Sequence, residues 1–251
     1  MTFEIALAIV GGLIVVVSIY ALVVSIWLMI KYVKFNRKQN SAGLTGKDVA
    51  RKILDQNGLN HIGVKVTGSL LFGNSYSHYF KKVRLRRLTR NEKSLTSLGM
   101  GAQKASLAIL DKEGDPDMRK RIRLYPIITM GPCAFIPLTI IGGVLDYFIF
   151  KQTGTMTLIL AGVGFLFYAY SIILSVLTLK TEKKAQEKAY DILKENNMVN
   201  DEELSSLKEL FHLYNVQYVN DIILASLELL YFALKILATV QGNSSSSISK
   251  D

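Results

Sequence analysis

Three histidines, His61, His78 and His212, are the first side chains to weigh for metal chemistry. No two lie within one helical turn, and none belongs to an H-E-x-x-H segment, the spacing that stacks two imidazoles on one helix face with a carboxylate between them. His61 and His78 are expected in loops near short strands, and His212 on a helix beside Phe211, Leu213 and Tyr214. The single cysteine, Cys133, excludes a Cys-based metal site or a disulfide framework within one chain; its apolar surroundings predict a buried, inert thiol. Gly99-Met-Gly101 lies inside a predicted helix, without the strand-turn-helix context of a nucleotide fingerprint. The serines at 244–247 read as a tail and not as a nucleophile elbow. Asp221, Glu228 and Lys235 recur every seven residues, so they share one helix face with about 20° of drift per step. Charges within a membrane usually turn to the bundle interior and pair there. Structural pairing or an internal polar cavity is the reading of that face, and a transport pathway is the alternative.

The elements that must position these groups are set by segregation of apolar and charged residues. Half of the 251 residues are hydrophobic and mean hydropathy is +0.28, with long uncharged runs alternating with Lys/Arg-dense stretches. That is the pattern of a polytopic membrane protein. Residues 6–30 form an uncharged run of 25, long enough to span about 30 Å of hydrocarbon with some tilt. The segment before it holds Glu4 and no Lys or Arg, unlike a cleavable signal. Lys31, Lys34, Arg37 and Lys38 follow at once, which predicts the N-terminus outside and residue 31 onward in the cytosol. Further apolar runs at about 126–149, 156–179 and 219–240 complete four predicted transmembrane helices. Residues 31–125 carry 21 Lys/Arg against 7 Asp/Glu, whereas 180–218 carry 6 against 8. The net charge of +10 therefore gathers where the positive-inside rule would put it, and nucleic acid is not needed to explain it.

The expected architecture is a mainly α membrane protein with a small α/β cytosolic domain. Its segments are transmembrane helix 1 (1–30), a basic cytosolic α/β domain (31–125), transmembrane helices 2 and 3 (126–179), a cytosolic helical segment (180–218), transmembrane helix 4 (219–240) and a disordered polar tail (241–251). Within 31–125, Thr45 predicts an N-cap for a helix over 46–57 that Gly58 ends. Residues 62–66 and 79–87 read as short strands. Thr89 and Glu92 suggest a capping box for a helix over about 90–112, stopped by Gly114 and Pro116. The third span is expected to run on as an amphipathic helix to about Asn197. Asn200, with Asp201, Glu202 and Glu203, starts the next. Arg119, Lys120, Arg121 and Arg123 precede Pro126 directly and are expected to contact anionic headgroups. The Lys81–Arg87 stretch is a weaker candidate for the same role, or else a solvated strand edge or partner surface.

The segment Gly43-Leu-Thr-Gly-Lys-Asp-Val-Ala-Arg-Lys-Ile-Leu-Asp-Gln-Asn-Gly-Leu59 resembles the opening of the bacterial membrane zinc metallopeptidases often called YugP-like, where it also follows the first membrane helix. The similarity resumes at Lys82-Val-Arg-Leu85, passes Arg123-Leu-Tyr-Pro126, and reaches Glu228-Leu-Leu230. The resemblance implies a zinc-peptidase helix scaffold whose H-E-x-x-H falls, in ungapped alignment from Ser94 to Pro126, on Gln103-Lys104-Ala105-Ser106-Leu107. Both ligand positions are then an amide and an aliphatic chain, and the general base is an ammonium. Glu182 lies where the family places a carboxylate that looks like the third zinc ligand; the acidic residue two positions later is Lys184 here. A carboxylate facing Lys104 suggests a salt bridge in place of metal coordination; the alternative is a solvated Glu182 beside Lys183.

The expectation is therefore a catalytically inactive homologue, a pseudopeptidase serving as scaffold, adaptor or substrate-binding subunit in the cell membrane, without metal or cofactor. Its expected partners are membrane lipids and a membrane protein or a second copy of the chain. One alternative is a metal-independent hydrolase using Lys104 as base near Ser106, although side chains at i and i+2 of a helix point apart. The other is a transporter or channel component built on the Asp221–Glu228–Lys235 face.

Overall fold

Uninterrupted apolar sequence and well-placed caps produce seven α-helices and three short strands among the described residues. The structure is a computed structural model that describes residues 3–67, 73–151 and 154–248. The elements are α1 (Phe3–Arg37), α2 (Gly46–Gln56), β1 (Gly63–Val66), β2 (Ser75–Ser77), β3 (Lys82–Leu85), α3 (Arg87–Asn91), α4 (Leu95–Glu113), α5 (Pro116–Val144, followed by a π-helical turn at Leu145–Phe150), α6 (Thr155–Glu195) and α7 (Asp201–Ile248). They form two compact units: Met1–Val23 with Leu124–Val176 and Gln217–Asp251, and Val24–Arg123 with Leu177–Val216.

The first unit holds apolar helix surface that water would not tolerate. Val16, Ile140, Tyr147, Phe148 and Leu166 are all exposed, which suits contact with lipid. Among the described residues, three helices are long and apolar enough to cross a membrane: Phe3–Arg37, Cys133–Phe150 and Thr155–Glu195. The fourth predicted run lies within α7, which continues to Ile248. It thereby carries helix through residues 241–248 of the stretch read from sequence as a disordered tail, residues 249–251 lying outside those described, because extending an existing helix avoids the cost of nucleation. Cys133 is exposed, contrary to the buried thiol expected, since an apolar run in this setting faces outward as readily as inward. Asp146 is buried in the turn after α5, and its carboxylate accepts from the Met156 and Thr157 backbone N–H groups and the Thr157 hydroxyl at 2.7–2.9 Å. It thus satisfies donors that the start of α6 would otherwise leave orphaned.

The second unit is built around α4, whose residues from Leu95 to Leu110 are all buried. Thr45 caps α2 in a full capping box with Asp48, and the buried stripe Val49, Ala50, Ile53 and Leu54 packs into the core. Two glycines let α2 and α4 touch: a Cβ on Gly101 would collide with the Gly46 carbonyl. Gly99 meets Leu207 of α7 on another side, so Gly99-Met-Gly101 is a packing device. The sheet has order β1-β3-β2, with β1 parallel and β2 antiparallel to β3. Val83 and Leu85 of β3 enter the core on either side of the half-buried Arg84, the alternation of a one-sided strand. The strand expected over 79–87 is confined to 82–85, and β2 was not foreseen. The expected Thr89–Glu92 box does not form. Thr89 sits within the short α3, and Ser94 instead caps α4 by accepting from the Ser97 N–H at 3.1 Å. Gly114, at φ +70°, closes α4 in the left-handed conformation that glycine adopts without strain.

Candidate functional site

Gln103, Lys104 and Leu107 project from the middle of α4, the most enclosed helix of the second unit. Leu107 packs with Leu110, Met118 and Ala185 and offers no donor atom. Gln103 and Lys104 both turn to Glu182 on α6. The Lys104 ammonium donates to Glu182 Oε2 at 2.7 Å, and the Gln103 amide donates to the same oxygen at 3.0 Å. The bridge suggested between Lys104 and Glu182 is therefore present, in place of a solvated Glu182.

The other carboxylate oxygen is occupied by a residue that sequence reasoning assigned elsewhere. Arg121 of α5 donates one guanidinium N–H to Glu182 Oε1 at 2.8 Å and another to the Thr181 hydroxyl at 2.8 Å. Arg121, expected at the headgroups, thus spends its guanidinium on Glu182 and Thr181. It is inward-turned and only 16% exposed, whereas Arg119, Lys120 and Arg123 are exposed. The reason is helical phase: in a run of basic residues on one helix, one member falls on the face that meets α6. Burial pushes the Glu182 carboxyl upward, but the charges and hydrogen bonds of Lys104 and Arg121 outweigh it and hold the group down to about 2.

A second tier of ion pairs flanks this cluster. Lys184 reaches Asp115 at 2.6 Å and Asp117 at 2.7 Å, Lys180 reaches Asp117 at 2.9 Å, and Lys188 reaches Glu113 at 2.6 Å. The i, i+4 spacing of Lys180, Lys184 and Lys188 was a signal available in the sequence, because it stacks three ammonium groups on one face of α6. Hydrogen bonds from the lysines, with the Met118 N–H added at Asp115, hold Asp115 and Asp117 below the usual carboxylate range; at Asp115 they first overcome burial.

These residues do not fit a zinc ion. The donor set offers one carboxylate, already neutralised by two cations, beside an amide and a butyl group. At 4 Å and an effective dielectric of 20, repulsion is about 4 kcal/mol for each pair of unit charges, and a divalent ion would double it against each cation. Among the described residues, no group of three or more His, Cys, Asp and Glu side chains is placed to hold a metal ion. His61 and His78 line one cavity of about 220 Å³ with Tyr76 and Asp111. There Asp111 accepts from Tyr76 OH at 2.6 Å and bonds His78 Nδ1 at 2.6 Å. His212 is exposed on α7. Nor is the pair required for metal-independent hydrolysis formed, because Lys104 donates to Glu182 while the buried Ser106 hydroxyl has no partner.

The charged face of α7 is dispersed in its bonding. Asp221 accepts from Gln217 one turn earlier at 3.0 Å, and Glu228 hydrogen-bonds with Tyr168. Lys235 is exposed.

The chain is 25% identical over 227 residues to the "Putative membrane protease YugP" of Bacillus subtilis (strain 168), an alignment covering 88% of this chain and 96% of that protein. No solved structure matches. The sequence profile of the family described as "Putative neutral zinc metallopeptidase" matches residues 10–237, and the chain belongs to that family.

Proposed function

We propose that this chain is a catalytically inactive member of its family, a pseudopeptidase that acts as a scaffold, adaptor or substrate-binding subunit of a membrane protein complex. The observation that carries the reading is the Lys104–Glu182–Arg121 cluster. In the alignment proposed from sequence, an ammonium stands where a general base would act, and the remaining carboxylate is spent on two cations. A water-activating metal needs several anionic or imidazole ligands and a nearby base, whereas Gln103, Lys104, Leu107 and Glu182 offer one carboxylate, already paired with two cations. The packing residues around the cluster remain those of an ordered core, which suits retention of the fold for binding.

The proposal includes a four-span topology with the N-terminus outside and both charged segments in the cytosol. Support for the fourth span comes from α7, an unbroken helix across residues 219–240 that exposes Ile223, Leu230, Phe232 and Leu237. The Lys/Arg excess of residues 31–125 supports the sidedness.

The test is metal analysis and peptidase assay on the same purified, zinc-equilibrated sample, with a mild-detergent pull-down of the tagged chain. The expected result is substoichiometric zinc, no chelator-sensitive cleavage and a co-purifying membrane protein or second copy. Stoichiometric zinc together with peptide cleavage would overturn the reading.

A further inference from the structure

The turn between β2 and β3 ends in two aromatic side chains that are mostly exposed. Tyr79 is 64% exposed and Phe80 62% exposed, at the tip of a tight turn closed by Lys81 at φ +46°. Water-facing turns favour small polar residues, so two adjacent large rings there need an explanation. Their surroundings are cationic: Lys81 and Lys82 are exposed beside them, and the Arg84 guanidinium stacks over the Phe80 ring at 5.0 Å. The turn is also tethered. Tyr79 OH donates to the Ile122 carbonyl of α5 at 3.2 Å. Ile122 lies among the exposed Arg119, Lys120 and Arg123 and two residues before Leu124, where the apolar run of α5 begins.

We infer that the Tyr79–Phe80 turn is an interfacial anchor that rests in the anionic headgroup layer of the membrane the chain spans. Three observations converge on that occupant. Amphipathic rings flanked by Lys and Arg are the side-chain set that settles at a lipid–water boundary. The cations on both sides, Lys81, Lys82, Arg119, Lys120 and Arg123, match a surface of phosphates. The hydrogen bond to Ile122 keeps the rings at the level where a membrane-entering helix turns from basic to apolar. The role differs from the ion cluster on α4 and does not depend on whether the chain is inactive.

The experiment places a fluorescent reporter in the full chain. In a Trp27→Phe background, which removes the native tryptophan, Phe80→Trp puts an indole at the turn; a separate Lys194→Trp variant puts one near the exposed end of α6 as the water-facing reference. Each is reconstituted into nanodiscs of phosphatidylglycerol or of phosphatidylcholine containing a headgroup-nitroxide lipid. The expected result is strong quenching and a blue shift at position 80 in phosphatidylglycerol, little at position 194, and loss of the position-80 quenching in phosphatidylcholine and in Lys81→Gln/Lys82→Gln. Circular dichroism of each variant confirms that it is folded. Quenching at position 80 no greater than at position 194, or equal in the two lipids, overturns the inference.

Discussion

Replacing Glu182 by glutamine keeps the shape of the side chain and removes the one anion that Lys104 and Arg121 share. A carboxyl held near 2 instead of 4.5 carries about 3 kcal/mol of preference for its charged, folded-state form. The substitution forfeits that preference and leaves two enclosed cations without a counterion, a situation that costs about 3–5 kcal/mol. Thermal melting in a mild non-ionic detergent, followed by circular dichroism, should therefore show Glu182→Gln melting roughly 10 °C below the parent. Lys104→Met should cost less, because Arg121 still pairs with Glu182. The double variant should be less destabilised than the sum of the singles, with a coupling of about 1–3 kcal/mol, since the methionine removes one of the cations that Glu182→Gln strands. If Glu182→Gln melts with the parent, or if the two changes simply add, Glu182 does not hold Lys104 and Arg121 together as one electrostatic unit.

Acid should weaken the second unit in a defined window. Glu182, Asp115 and Asp117 all titrate lower when folded, so protons favour the unfolded chain; stability is complete above about pH 4.5 and falls as pH approaches about 2, readable as melting temperature against pH. Gly101→Ala drives a Cβ into the Gly46 backbone, and overpacking of about 1–3 kcal/mol should exceed the ~1 kcal/mol that alanine gains in a helix, lowering the melting temperature. The triple change Gln103→His, Lys104→Glu and Leu107→His places two imidazoles one turn apart on α4, the first at the position that now bonds Glu182. It should raise zinc content from substoichiometric to stoichiometric by metal analysis, and failure to bind would count against the alignment of these positions.

Much of the fold was legible because it rests on local signals. Thr45 with Asp48 wrote the start of α2, and Asn200 with Glu203, which exchange hydrogen bonds at 2.8 and 3.1 Å, wrote the start of α7. Gly114 wrote the end of α4, and the run from Thr155 to Glu195 stayed helical past the apolar segment as its amphipathic pattern required. What escaped was decided by tertiary context. Ser94 and Thr89 are both competent caps, and the choice fell to Ser94, whose hydroxyl also donates to Asn36 while its backbone pairs with Gln39. Strand β2 is three residues long and exists because β3 offers an edge. At the candidate site, Lys104 and Glu182 could be paired only through resemblance. Arg121 was hidden among four similar cations that differ solely in which side of α5 they occupy.

The carboxylate that seals the start of α6 bears on how the first unit is made. An unpaired Asp146 near the end of an apolar segment would oppose entry into lipid, by less than the about 3 kcal/mol that insertion scales assign to an acidic residue at mid-helix. Held by two amides and a hydroxyl of Met156 and Thr157, ten and eleven positions further along the chain, it no longer presents that penalty. The two helices joined there are thus suited to leave the insertion machinery together, as one prefolded hairpin, and not one after the other.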